Sequence, residues 1–471
     1  SFKDSFALAC CDLSTGEFFT QSMEGMPYVL HELARLHPSE CVIPQSLGVN
    51  KELKEKVKSS GCFLTTYEDH YFQLEKSRTA LLEHFKMNSL QSFGLEDYPR
   101  LISAAGALLQ YLLHTQRNAL PHIKRVTVRS DAVTMVLDSS TLRNLELMKN
   151  LREGTMKGTL LAVLDATVTS MGGRLLRRWI TEPLLQRKAI ETRLNAVEEL
   201  TKKVILREEM RDLLQNMYDL ERLMGRINYG TATPRDVVAL RHSLSHIPVL
   251  REKLQDISSE LLSSLAEMET FEDLTTLLHA AIRDDAPLSL REGGIMKKGF
   301  NAPRDELEDL QRNSKMFLQE LEERERQKTG ISTLKLGFTK VFGYFLEVTR
   351  KNVPLVPAHY MRKQTTVNGE RYITEELKDV EEKILGAEEK MIELEYALFQ
   401  EVIRFISVRT VGIQEAAYHI AVLDVLCTFA RVACERGYGK PECTEENSIH
   451  IVNGRHPVVE MMVEQFIPNT V

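Results

Sequence analysis

The chain has 471 residues, of which 43% are hydrophobic and 27% charged, and its formal net charge at pH 7 is −7. That composition excludes disordered and collagen-like classes, and at roughly 150 residues per domain it suits about three globular units. Seven cysteines with no C-x-x-C pair argue for reduced thiols, as in the cytoplasm, and against a disulfide frame or thiolate zinc site. No apolar run nears the roughly 20 residues of a membrane span, residues 102–114 being too short, so no membrane partner is expected.

The first 20 residues read as a hairpin: an apolar strand, a Ser14-Thr15-Gly16 turn, then the strand EFFTQ. A helix at 28–36, a strand at 41–44, a helix at 51–59 and a strand at 63–67 follow. This alternation predicts an α/β unit that closes with a helical run over 104–123. Asp12 beside the turn could be the first carboxylate of a two-metal nuclease, with Glu40, Asp69 and Asp97 in reserve. Nothing in the spacing brings those together, and an aspartate that opens a turn is the plainer reading.

From 124 to 138 the pattern alternates, and helical spacing then covers 141–152, 159–180, 187–216, 234–255 and 257–283. Pro183, Pro234, Pro248 and Pro287 are expected to mark breaks. Arg174, Arg177 and Arg178 fall on the exposed side of a core helix and receive no role. His242 and His246 stand one helical turn apart, but without H-E-x-x-H or a third ligand they do not predict a metal site.

Residues 301–330 have no glycine or proline in their interior and read as one long polar helix, roughly 40 Å at 1.5 Å per residue. A second arm, roughly 75 Å long, carries Leu377, Val380, Ile384, Ala387, Met391, Leu394 and Leu398 in a heptad seam. Between the arms, Phe338, Val341, Phe342, Tyr344, Phe345 and Val348 favour strands. This insert is basic within an acidic chain. From Lys335 to Ile373 it holds seven cations, Lys335, Lys340, Arg350, Lys351, Arg362, Lys363 and Arg371, against Glu347 and Glu370. Arg350, Lys351, Arg362, Lys363 and Arg371, with the amides of Gln364 and Asn368, are the expected contacts to a phosphate backbone. After the second arm, 445–460 turns strand-like again.

Several strings now resemble one family in its own order: 104–123, TLRNLELMKNLREG, VLDATVTSMGGRLLRRWITEPL, DLERLMGRINYGTATPRDVVALR, KLGFTKVFGYFLEV, YMRKQTTVNGERYITEEL and GRHPVVE. The chain resembles the MutS family of bacterial DNA mismatch repair proteins. The resemblance implies a multidomain, mainly α protein. Its parts would be an α/β, ribonuclease-H-like, non-catalytic connector at 1–123, and a helical core with the first lever arm at 124–330. A β-rich clamp at 331–385 would grip DNA without reading sequence, followed by the second lever arm at 386–436 and the start of a truncated ATPase domain at 437–471. It further implies double-stranded DNA as partner, a homodimer for the whole protein, MutL contacts through connector and core, and a cytoplasmic, nucleoid-associated location.

Two family hallmarks are missing. The string Gly343-Tyr344-Phe345-Leu346-Glu347 fits the mismatch-wedging G-x-F-x-E motif, but its place inside the insert assigns Phe345 to the clamp interior. No G-x-x-x-x-G-K-[ST] loop occurs. Gly437-Tyr438-Gly439-Lys440 is the nearest echo, and Pro441 replaces its hydroxyl. The 471 residues are therefore expected to hold no catalytic, cofactor or metal site, and to belong to a longer DNA-dependent ATPase that uses ATP and Mg²⁺. The competing reading is a structural coiled-coil protein with an incidental basic tip. If the arms pair as a self-sufficient lever, excision of 333–374 should leave a folded helical protein.

Overall fold

The computed structural model describes residues 5–59, 61–115, 120, 123–129, 134–135, 137–339 and 342–471. Lys340 and Val341 of the basic insert, and 116–119 and 121–122 of the closing helical run, lie outside the described residues.

The first segments alternate as β1 (Ser5–Asp12), β2 (Glu17–Glu24), α1 (Met26–Leu36), β3 (Glu40–Pro44), α2 (Lys51–Ser59), β4 (Phe63–Tyr67), α3 (Leu74–Phe85), α4 (Pro99–Thr115) and β5 (Thr127–Arg129). β1 and β2 pair antiparallel with Asp12 opposite Glu17. The Asp12 carboxylate accepts hydrogen bonds from the Ser14 backbone N–H and hydroxyl, both at 2.8 Å, so it opens the turn. β5 runs parallel to β2, with Phe19 opposite Thr127. It joins this sheet although the alternating stretch that begins at 124 reads, in sequence, as the entry to the helical core. Phe18, Leu81, Ile102, Leu109 and Val126 share one buried cluster beneath that sheet. β3 and β4 form a separate parallel pair over Leu33, Ile43, Val57 and Cys62.

The middle of the chain is helical: α5 (Ser139–Asn144), α6 (Leu160–Leu164), α7 (Ser170–Thr181), α8 (Arg187–Lys202), α9 (Val204–Gln215), α10 (Leu220–Tyr229), α11 (Pro234–Lys253), α12 (Glu260–Leu265) and α13 (Glu272–Ala281). Three expectations are corrected here. The helix predicted over 141–152 stops at Asn144. Beyond it, the Asn150 side chain donates to Thr155 Oγ1 and the Lys157 carbonyl and accepts from the Glu153 N–H, which organises a loop instead. Pro248 lies inside α11 rather than at a break. Leu244, Ile247, Leu250 and Leu254 are all buried, and that packing outweighs the backbone bond a proline removes. Residues 445–460 form turns and a short 3₁₀ segment, with a single bridge from Gly454 to Asn469, rather than a strand.

The first arm is α14 (Ala302–Thr329), started by the Asn301 side chain accepting from the Arg304 N–H at 3.1 Å and ended by Gly330 at φ 69°. Four strands follow, β6 (Lys335–Thr339), β7 (Gly343–Thr349), β8 (Met361–Thr365) and β9 (Gly369–Ile373), and then α15 (Glu375–Val408) and α16 (Thr410–Arg436). The second arm is therefore two helices, interrupted at Arg409, and α15 with 34 residues extends about 50 Å rather than 75 Å. α16 also corrects the reading of apolar runs. It is long and apolar enough by composition to span a membrane, but 67% of its apolar window is buried within the protein.

Two compact units emerge. The first comprises Ser1–Ala232, Ala239–Glu272 and Ile406–Val471, and the second Thr233–Val238 and Asp273–Phe405. In the first unit α16 is the central helix. Asp424 on it is fully buried and accepts from the Thr169 N–H (2.8 Å), the Thr169 hydroxyl (2.7 Å) and the Val168 N–H (3.1 Å). Gly172 permits that approach, since a Cβ there would stand 2.2 Å from Asp424 Oδ2. Burial raises the Asp424 carboxyl above its ordinary range despite those donors.

Candidate nucleic-acid interface

The second unit carries the basic insert as an antiparallel sheet of order β6-β7-β9-β8. Alternation sorts its side chains onto two faces. Leu336, Leu346, Val348 and Tyr372 point to one face and share a cluster with Leu318 and Leu321 of α14 and Leu377, Val380 and Ile384 of α15. The seam of the second arm therefore packs on the sheet as well as on the other arm. Excising 333–374 would strip half of this core, so the expectation that the arms fold without the insert is withdrawn.

On the opposite face Lys335, Glu347, Arg371 and Gln364 are successive partners across all four strands. Phe345 is buried on this face, opposite Gly337, where a Cβ would stand 2.7 Å from its ring. The Arg371 guanidinium covers it at 4.3 Å from the ring centroid. Arg371 also donates to Gln364 Oε1 at 2.8 Å and stands 3.7 Å from Glu347. Phe345 thus belongs to the insert's interior, and Arg371 and Gln364 are engaged with the sheet itself.

The other expected cations differ in freedom. Arg350 and Lys351 open a 3₁₀ segment (Arg350–Leu355), both are exposed, and no carboxylate among the described residues pairs with either. The Arg350 N–H donates to the Asn368 carbonyl at 3.3 Å, which brings this pair beside the β8–β9 turn. Arg362, on the edge strand β8, is 62% exposed and, among the described residues, makes a long contact to Glu370 at 3.5 Å. Lys363 occupies a bulge between Arg362 and Gln364, and its ammonium donates to the Phe342 carbonyl at 2.9 Å. Tyr372 donates to the second Glu370 oxygen at 2.5 Å, and burial, then that carboxylate, pushes its phenol up to about 12. The sheet therefore presents Arg350, Lys351, Arg362 and Asn368 outward, with Lys363 lightly held.

Two buried polar groups in this unit escaped the sequence reading. Arg304, 2% exposed, donates from Nε to Glu395 Oε1 at 2.9 Å and from Nη1 to Glu308 at 2.6 Å and Asp305 at 3.2 Å. Glu395, fully buried, also accepts from the Ile295 N–H at 2.9 Å. Burial opposes the Arg304 charge, but hydrogen bonds to Glu395, Glu308 and Asp305 outweigh it and hold the guanidinium above its ordinary range. Nearer the sheet, Tyr360 donates to the buried Glu325 at 2.7 Å. A glutamate beside a heptad seam was the only available signal for the first network.

Other residues singled out in the sequence take structural places. Arg174 pairs with Asp219 (2.7 Å) and with Glu221 (3.1 Å from Nε), and Arg178 with Glu182 (3.0 Å) and Glu17 (3.2 Å); both are half-buried, not simply exposed. The rings of His242 and His246 lie tilted with centroids 4.7 Å apart, and His246 Nδ1 bonds the His242 carbonyl; no group of three metal-ligating side chains occurs among the described residues. Lys440 donates to Asn195 and Glu198 at 2.7 Å each, a surface contact.

With this geometry in place, comparison with known proteins is specific. A family model of MutS domain II matches residues 1–124, and one of MutS domain III matches residues 140–430. A protein named DNA mismatch repair protein MutS from Halothermothrix orenii is 43% identical over 99% of this chain and 52% of its own length. Its namesake from Symbiobacterium thermophilum is 42% identical over 99% of this chain and 54% of its own. That from Methanosarcina acetivorans is 41% identical over 98% of this chain and 52% of its own. The chain spans about half the length of the curated relatives it matches.

Proposed function

Because the chain belongs to the MutS family, with the domain III match alone covering residues 140–430, we propose that it is the DNA-embracing middle of a mismatch repair protein. Its second unit closes on duplex DNA through contacts to the sugar-phosphate backbone. Arg350, Lys351, Arg362 and Lys363 supply the charge and Asn368 an amide, while Arg371 and Gln364 position the strands that carry them. The observation that supports this best is the Arg350–Lys351 pair, exposed and without a carboxylate partner among the described residues, in a chain of net charge −7. Cations left unpaired in an acidic protein can neutralise phosphates and so release the counterions condensed on DNA, whereas paired ones must first give up their carboxylates.

In the same reading, residues 1–123 are a ribonuclease-H-like connector that performs no hydrolysis. Residues 124–330 and 386–436 are core and lever arms, 331–385 are the clamp, and 437–471 begin an ATPase domain. The whole protein uses ATP with Mg²⁺, works in the cytoplasm as a homodimer on mismatched DNA, and meets MutL through connector and core.

Titration of duplex DNA at several salt concentrations tests the clamp. If about four cations engage, log affinity falls against log salt with a slope of about −3 to −4, and replacing both Arg350 and Lys351 by alanine reduces that slope by up to about two units. The slope should change equally for duplexes of different sequence. An unchanged slope would place the contact surface elsewhere.

A further inference from the structure

The β8–β9 turn is built differently from a surface that only grips phosphates. Its two-residue loop exposes Asn368 and leaves Val367 84% exposed. The loop is closed by the Thr366 N–H and hydroxyl, which both donate to the Gly369 carbonyl at 2.8 and 3.0 Å. Gly369 is buried so closely on β7 that a Cβ would stand 2.2 Å from the Val348 carbonyl oxygen. The Arg350 N–H to Asn368 carbonyl bond then fixes the loop beside two free cations. The result is a stiff tip whose leading group is an isopropyl, flanked by an amide and by Arg350 and Lys351.

Phosphate oxygens have no use for an isopropyl group, whereas the C–H edges of deoxyribose that wall the minor groove do. Every base pair also shows hydrogen-bonding groups in that groove that an amide can match without distinguishing sequence well. A full two-stranded ribbon needs the major groove, about 12 Å wide, whereas the one or two side chains that lead a two-residue turn fit a groove of about 6 Å. We propose that the β8–β9 tip enters the minor groove of duplex DNA. Val367 lies against deoxyribose, Asn368 reaches past the backbone to which the clamp reading assigns it and meets base edges, and Arg350 and Lys351 sit on the phosphates at the groove's rim. This rests on the clamp reading and adds to it the groove and the residue that leads.

The test is site-directed cross-linking of Val367→Cys to duplexes that carry a haloacetamide tether on guanine N2, in the minor groove, or on pyrimidine C5, in the major groove. The unaltered chain controls for the seven native cysteines. Cross-linking to the N2 tether should exceed that to the C5 tether by about tenfold, as expected when only one groove admits the tip. Val367→Ala should weaken duplex binding about three- to tenfold with an unchanged salt slope, since no phosphate contact is lost. Equal or C5-dominated cross-linking, no cross-linking to either tether, or an unchanged affinity of the alanine variant overturns the groove assignment while salt-dependent binding persists. Absence of salt-dependent binding by the unaltered chain overturns the clamp reading and this inference together.

Discussion

Replacing Arg304 by methionine should destabilise the second unit selectively. The substitution keeps an apolar stem of similar length but removes the guanidinium from a site where it is 2% exposed and its partner Glu395 is fully buried. Glu395 would retain backbone donors such as the Ile295 N–H, 2.9 Å away, and no cation. Leaving a buried charge in that state costs about 3–5 kcal/mol. Adding Glu395→Gln removes the charge while keeping an acceptor for Ile295, so the double variant should recover about 1–2 kcal/mol of that loss, a coupling that marks a direct contact. Urea unfolding followed by far-UV circular dichroism would read the loss as a fall in midpoint of about 1–2 M at a slope of about 3 kcal/mol/M. The single tryptophan, Trp179, lies in the first unit, so its fluorescence transition should stay in place. A loss below about 1 kcal/mol, the worth of a solvated surface pair, would refute the reasoning, as would an equal shift in the Trp179 signal.

Three further outcomes are expected. In the first unit, burial raises the Glu182 carboxyl, but Arg178, Arg35 and Arg129 outweigh it and hold it below the ordinary glutamate range. The stability it contributes is present above the unfolded value of about 4.5 and is lost as pH falls through the folded one. The Trp179 urea midpoint should therefore drop on acidification below about pH 4.5, and Glu182→Gln should flatten that drop and lower the midpoint at neutral pH. In the sheet, Gly337→Val should destabilise the second unit by about 1–3 kcal/mol through collision with the Phe345 ring, and Gly337→Ala by less, read as the circular dichroism midpoint. Because phosphates are nearly alike at paired and mispaired sites, the chain should bind G·T-mismatched and fully paired duplexes within about twofold, roughly 0.4 kcal/mol, in side-by-side titrations. A tenfold preference would place mismatch discrimination within these residues.

What local chemistry governs is legible in the amino-acid sequence itself. The hairpin at Asp12–Glu17, the strands at Glu40–Pro44 and Phe63–Tyr67, and the arm from Asn301 to Gly330 follow from alternation, turn residues and caps that act within a few positions. The basic excess of the insert and the outward cations Arg350 and Arg362 are legible for the same reason, since composition alone reveals a local charge imbalance. Everything that depends on a distant partner is not. β5 joins the first sheet because β2 offers an edge more than a hundred residues earlier, and Pro248 stays helical where Leu244, Ile247 and Leu250 around it are buried. Arg371 has the same sequence character as Arg350, yet cross-strand neighbours engage it with Phe345 and Gln364 while Arg350 stays exposed. Arg304 and Glu395, ninety-one positions apart, look like surface charges until folding buries them against one another. Pattern and composition determine where charge and apolar surface lie along the chain; only tertiary packing decides which charges are neutralised inside and which are left to meet a ligand.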